Sequence, residues 1–159
     1  MKLPVIVCLV LVVVSPGISA ETAIDVKVAL FRSAIETANN AMSLHNFVAA
    51  EAESTLKATK DARQKRDMEL VGVVLGTYGP YYKRYCSILQ TLDGLEKKQN
   101  PSASDDVNRV ELWRRLGYNR NSLYAASVKV ATLAAQMGLG VPPNWRGAIR
   151  NEVIPAPAR

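Results

Sequence analysis

Apolar residues recur along the first third of the chain in alternating steps of four and three. They are Ile24, Val28, Phe31, Ile35, Ala38 and Met42, followed in the same register by His45, Ala49, Ala52 and Leu56. This spacing places all of them on one seam of a helix. Thr22 is positioned to cap its start, and Asn39-Asn40 lies off the seam, so the helix is read straight through it. Past Leu56 the register meets Thr59, Arg63 and Arg66, and the seam fails.

A second helix is expected to open after Gly79-Pro80, because proline suits a first helical turn. Its stripe is Tyr81, Tyr85, Ile88, Leu92 and Leu95, and Lys97 and Lys98 complement its C-terminal dipole. Pro101 and capping serines follow in the loop from Gln99 to Ser104. A third apolar stripe runs through Val107, Val110, Trp113 and Leu116, then Tyr124, Val128, Ala131 and Ala135. Gly117 is a point for a kink or split, with Asn121 or Ser122 capping a new start, and Gly138 is the expected stop. No strand pattern is present. The predicted fold is all-α, an antiparallel bundle of three long helices, or four or five if the breaks are real.

The two ends read differently from the middle. Residues 1–20 have one lysine, then the apolar run Leu3 to Val14, a Ser15-Pro16-Gly17 break, and small residues at Ser19 and Ala20. That order predicts a secretory signal peptide cleaved after Ala20. The run falls short of the roughly 20 apolar residues that a spanning helix needs, and Leu70 to Tyr78, the next most apolar stretch, is shorter still. The expected organisation is therefore a signal peptide at 1–20, a helical bundle domain at 21–138, and an extended Pro/Gly-rich basic tail at 139–159. The expected localisation is secreted, either extracellular or periplasmic.

Charge narrows the partners. Without Lys2 the chain keeps 19 basic residues against 14 acidic ones. For an exported chain this excess favours an anionic surface over nucleic acid, and no integral membrane segment is expected after cleavage. The run KATKDARQKRD (57–67) alternates in sign and reads as a solvated helix face. Cys8 leaves with the signal, so Cys86 has no partner for an internal disulfide. An exposed Cys86 would invite an intermolecular one, whereas a buried Cys86 would act as a small apolar residue.

Candidate chemistry is sparse. His45 is the only histidine, and YYKRYCSILQ around Cys86 matches no thiol-nucleophile signature, so a Cys–His pair is set aside. No Glu-x-x-His or other ligand spacing supports a metal, and no cofactor is expected. The densest feature is Tyr78, Tyr81, Tyr82 and Tyr85, with Lys83 and Arg84 among them. It is either an interaction surface or a set of rings packed at a helix seam, and the apolar register of Tyr81 and Tyr85 favours the latter. Gly72 and Gly76 suggest either close helix approach or a loosened end before Gly79-Pro80, with the turn preferred. Trp145 and Arg146 in the tail are a candidate anchor for a partner, or else Trp145 folds back onto the bundle.

These features predict a non-enzymatic exported helical protein that acts through protein–protein interaction, with an unidentified partner or by self-association along the Ile24–Leu56 seam. The alternative is a small-ligand or lipid carrier with its ligand near Tyr78–Tyr85. An enzyme would require several of Arg32, Lys57, Arg63, Arg84, Arg114 and Arg120 to line one cleft.

Overall fold

The structure is a computed structural model that describes residues 21–143 and 145–148, with side chains from Lys27 to Pro143 and at Trp145 and Arg146. The expected signal peptide and the tail beyond Ala148 lie outside the described residues. Among those described, the chain is all-α: α1 (Glu21–Ala58), α2 (Ala62–Glu96), α3 (Ala103–Gln136) and the single turn α4 (Trp145–Ala148).

The first three helices pack as a bundle, with α2 running against both neighbours. Glu96 at the end of α2 contacts Lys27 near the start of α1, so these two helices are antiparallel. Glu96 also lies 3.1 Å from the Arg109 Nε on α3, an attraction of opposite charges without the alignment of a hydrogen bond. One carboxylate thus holds the same end of all three helices. Phe31 packs edge-on against Trp113 at 4.9 Å, and Arg120 reaches Ser33, so α1 and α3 run in the same direction.

The α1 seam is buried in this bundle, where Phe31, Ala38, Met42, His45 and Ala52 all lie in the interior. A second row, Ala34, Thr37, Ala41, Leu44 and Val48, is buried beside it. Contact with two helices requires a face wider than a heptad strip, and the small residues at 34, 38 and 41 let the neighbouring helices come close.

The expected start of the second helix is corrected. α2 begins at Ala62, far upstream of Gly79-Pro80, and Pro80 lies inside it. The stretch 57–67 is consequently the end of α1, a three-residue turn and the start of α2, and most of it is exposed. The Asp61 side chain caps α2 by accepting from the Arg63 and Gln64 amides. A proline in a helix interior costs about 3 kcal/mol. Beyond it, however, Tyr82, Tyr85, Leu89 and Leu92 are fully buried, and each such side chain is worth roughly 1.5–3 kcal/mol. Burial outweighs the proline, and the Gly76 carbonyl that loses its donor is on the exposed side. Gly72 is buried while a Cβ on Gly76 would meet open space, so the two glycines form neither a shared packing face nor a loosened helix end.

α3 is likewise unbroken through Gly117, Asn121 and Ser122. Its start is a capping box: Ser102 receives the Asp105 amide and the Asp105 carboxylate receives the Ser102 amide. Its end is the expected glycine stop. Gly138 adopts φ 70°, the Leu139 amide donates to the Ala134 carbonyl at 2.8 Å and the Gly138 amide to Ala135 at 3.1 Å. These are the two bonds of a Schellman motif, and Leu139 is buried as its hydrophobic partner. The chain then turns back along α1. Gly140 sits against Phe47, and Val141 and Trp145 pack on the core. The first part of the segment expected to be an extended tail is thus folded onto the bundle.

Candidate interaction surface on the second helix

α2 has two apolar faces. The inner one holds Met68, Val71, Leu75, Tyr82, Tyr85, Cys86, Leu89 and Leu92. The outer one holds Leu70, Val73 and Tyr81, which are 47%, 60% and 42% exposed. With Thr77 between them, these follow steps of three, four and four and lie in one line. The Thr77 hydroxyl donates to the Val73 carbonyl at 3.0 Å, so its polar atom is satisfied within the helix. Arg66 and Arg84, both exposed, fall on the same line at its two ends. By helical rise they stand about 27 Å apart.

The tyrosine cluster divides between these faces. Tyr82 and Tyr85 are in the core. Burial pushes both phenols up, with the Ser127 hydroxyl opposing this for Tyr82 and the Arg120 charge opposing it for Tyr85. Neither hydroxyl completes a well-aligned hydrogen bond. The Tyr82 ring meets His45 edge-on at 5.2 Å. Tyr81 is exposed and tilted against the half-buried Tyr78 at 6.2 Å, and the Lys129 ammonium from α3 lies 5.7 Å from the Tyr78 ring. Tyr78, Tyr81, Tyr82 and Tyr85 therefore do not form one surface. Tyr81 extends the outer stripe, Tyr78 flanks it, and the other two support the fold. The seam register marked Tyr85 correctly, but it placed Tyr81 inside because its origin was taken at Pro80.

Cys86 is buried on the inner face of α2, the environment of a small apolar residue. Trp145 is half-buried against α1, and the Arg146 guanidinium lies 5.4 Å from its ring. His45 Nε2 donates to the Leu75 carbonyl at 3.1 Å, the tautomer this acceptor requires. No group of three His, Cys, Asp or Glu side chains able to hold a metal occurs among the described residues, and no described helix is long and apolar enough to cross a membrane.

The basic residues are also distributed unevenly. Lys60, Arg63, Lys65 and Arg66 are exposed around the α1–α2 turn, and the first turn of α2 carries no acidic residue. Cations at a helix N-terminus oppose its dipole, so this cluster weakens α2 locally while making that end of the bundle strongly positive. Of the six side chains, several of which a scattered active site would need, Arg120 is buried and Arg32, Lys57, Arg63, Arg84 and Arg114 are exposed. Lys57 and Arg114 are occupied by Glu53 and Glu111 on their own helices. Sequence reasoning missed the outer stripe because it is split by Pro80: Leu70, Val73 and Thr77 precede the expected start of the second helix, and Tyr81 follows it.

Comparison with protein-family models, curated proteins and solved structures finds no match for this chain.

Proposed function

We propose that this chain is a non-enzymatic, exported binding protein that presents the outer face of α2 to a protein partner with an apolar strip flanked by acidic residues. The observation that carries this reading is the line Leu70, Val73 and Tyr81, exposed on a helix whose other face is already fully used by the core. A stripe of this kind has an energetic reason to be covered, since exposed apolar residues aligned on one helix are the usual anchor of helix recognition.

Charge selects the class of partner. A second copy paired through this face would set Arg66 against Arg84 if antiparallel, and each arginine against itself if parallel. Like charges at both ends work against self-pairing, whereas acidic groups on a different protein would meet Arg66, Arg84 and the cationic α1–α2 turn. The stripe is too narrow for a bilayer surface: Glu69 is exposed beside it, and Thr77 occupies its centre.

The reading is tested with a photo-crosslinking residue at Val73 in the exporting cell, and with one at Ser54, an exposed α1 position, as control. A discrete product with a different protein from Val73, absent from Ser54 and lost in Arg66→Glu/Arg84→Glu, is expected. A product of twice the chain mass would replace the partner with a second copy. Binding of the purified protein to anionic vesicles that Val73→Asp abolishes would replace it with a membrane.

A further inference from the structure

Arg120 is 3% exposed, and no carboxylate pairs with it among the described residues. Its Nε has no acceptor, and its Nη2 makes only a 3.5 Å contact with the Ser33 hydroxyl. A buried cation without a counter-charge is strongly unfavourable, and arginine cannot shed its proton to escape the cost. The neighbouring groups do not relieve it. The Thr37 hydroxyl donates to the Ser33 carbonyl at 2.9 Å. Tyr85, close enough for the Arg120 charge to act on it, is fully buried, and its hydroxyl meets only the Thr37 hydroxyl, without the alignment of a completed hydrogen bond. The acceptors that face Arg120 and Tyr85 at this level of the α1–α2–α3 interior are neutral hydroxyls, with no charged acceptor among the described residues.

We propose that Arg120, Tyr85 and Ser33 form a binding site for a small carboxylate between the three helices. The Nε–Nη2 edge of a guanidinium presents two parallel N–H groups, and a carboxylate meets that edge with both oxygens. Along this edge Arg120 makes only the long Nη2 contact with Ser33, and its Nε has no acceptor. The Tyr85 hydroxyl supplies a third donor from α2, and Ser33, half-buried on α1, places the site one side chain below the surface. The bound anion would neutralise Arg120 and satisfy both orphaned groups at once. This proposal is independent of the α2 outer stripe, which lies on the opposite side of that helix.

The test is thermal unfolding of the full chain with sodium acetate or formate against sodium chloride at equal ionic strength, in a carboxylate-free buffer. A saturable rise in Tm with the carboxylates and not with chloride is expected. Arg120→Met should abolish it, and Tyr85→Phe should weaken the affinity about tenfold, the loss of one charge-assisted hydrogen bond. An equal response to chloride, or a carboxylate effect that survives in Arg120→Met, would overturn the site. If Arg120→Met does not fold, NMR of the wild-type Arg120 Nε–H decides the matter. Its resonance should move and saturate with acetate, and a resonance that stays fixed would overturn the proposal.

Discussion

His45 Nε2 donates to the Leu75 carbonyl oxygen at 3.1 Å, joining α1 to the turn of α2 that precedes Pro80. Pro80 offers no amide to the Gly76 carbonyl, and its ring crowds that turn. The only histidine of the chain thus donates where the helix ladder is weakest, and its ring also packs edge-on against Tyr82. Replacing His45 with Phe keeps an aromatic ring but removes the donor. The expected cost is about 1 kcal/mol, read from the urea midpoint. Because the bond braces a loosened turn, the same substitution should cost less in a Pro80→Ala background. Equal costs in the two backgrounds would show that the histidine and the proline act independently.

The buried phenols make a second, sharper contrast. Tyr82 Oη and Tyr85 Oη are enclosed without a completed hydrogen bond, so each hydroxyl carries a desolvation cost that its ring repays. Tyr82→Phe should leave the melting temperature unchanged or raise it, while Tyr82→Ala should cost about 3–5 kcal/mol through the cavity it opens. A Phe variant as damaging as the Ala variant would mean that the hydroxyl is bonded in solution.

Alkaline pH should act through the same residues. The Tyr85 phenol is raised by burial, so its folded-state value lies above that of the unfolded chain. Its contribution is fully present below about pH 10, the unfolded tyrosine value, and is lost as pH rises beyond that. Stability measured by urea titration should therefore fall steeply above pH 10, and Tyr85→Phe should flatten that fall. Tyr81, exposed on the outer face, gives the control: Tyr81→Phe should leave the alkaline limb as it is.

Much of the fold is legible in the sequence where a local pattern and the tertiary structure agree. The α1 seam, the Gly138 stop, the serine cap before α3 and the burial of Tyr85 are of this kind. The misreadings fall where packing overrides a local rule. Gly79-Pro80 reads as punctuation, yet the helix passes through because Leu75 and Tyr82 on either side of it are both core residues. The true turn, Thr59–Asp61, is short and charged and so resembles a helix surface. Arg120 is the clearest limit, since nothing in RRLGYNRNSLY distinguishes a buried arginine from an exposed one. Only the meeting of α1, α2 and α3 does so. The outer stripe of α2 became readable once its helix was known to begin at Ala62.

Acid should act at the start of α3. Asp105 is buried at the capping box, where the Lys98 ammonium, the Ser102 amide and the Ser102 hydroxyl hold its carboxyl well below the usual carboxylate range. A lowered folded-state value means that its contribution is present above about pH 4, the unfolded aspartate value, and is lost as pH falls. Asp105→Asn should accordingly be less stable than wild type at neutral pH, and the two should converge as pH drops below 4. Ser102→Ala removes the cap itself and should cost about 1 kcal/mol.

The cationic start of α2 offers a test in which stability and binding move in opposite directions. Arg63, Lys65 and Arg66 stand in the first turns of a helix whose dipole is positive at that end, with the Asp61 cap before them and Asp67 and Glu69 in the following turn. Arg63→Glu replaces a repulsive charge with an attractive one and should stabilise the chain by about 0.3–1 kcal/mol. Were these residues merely a solvated surface, nothing else would change. If they meet an acidic partner, the same variant should lose the Val73 crosslink even though it is the more stable protein, and added salt should weaken the wild-type crosslink in the same way. A more stable Arg63→Glu that still crosslinks fully would confine the interaction to the apolar stripe and its two flanking arginines.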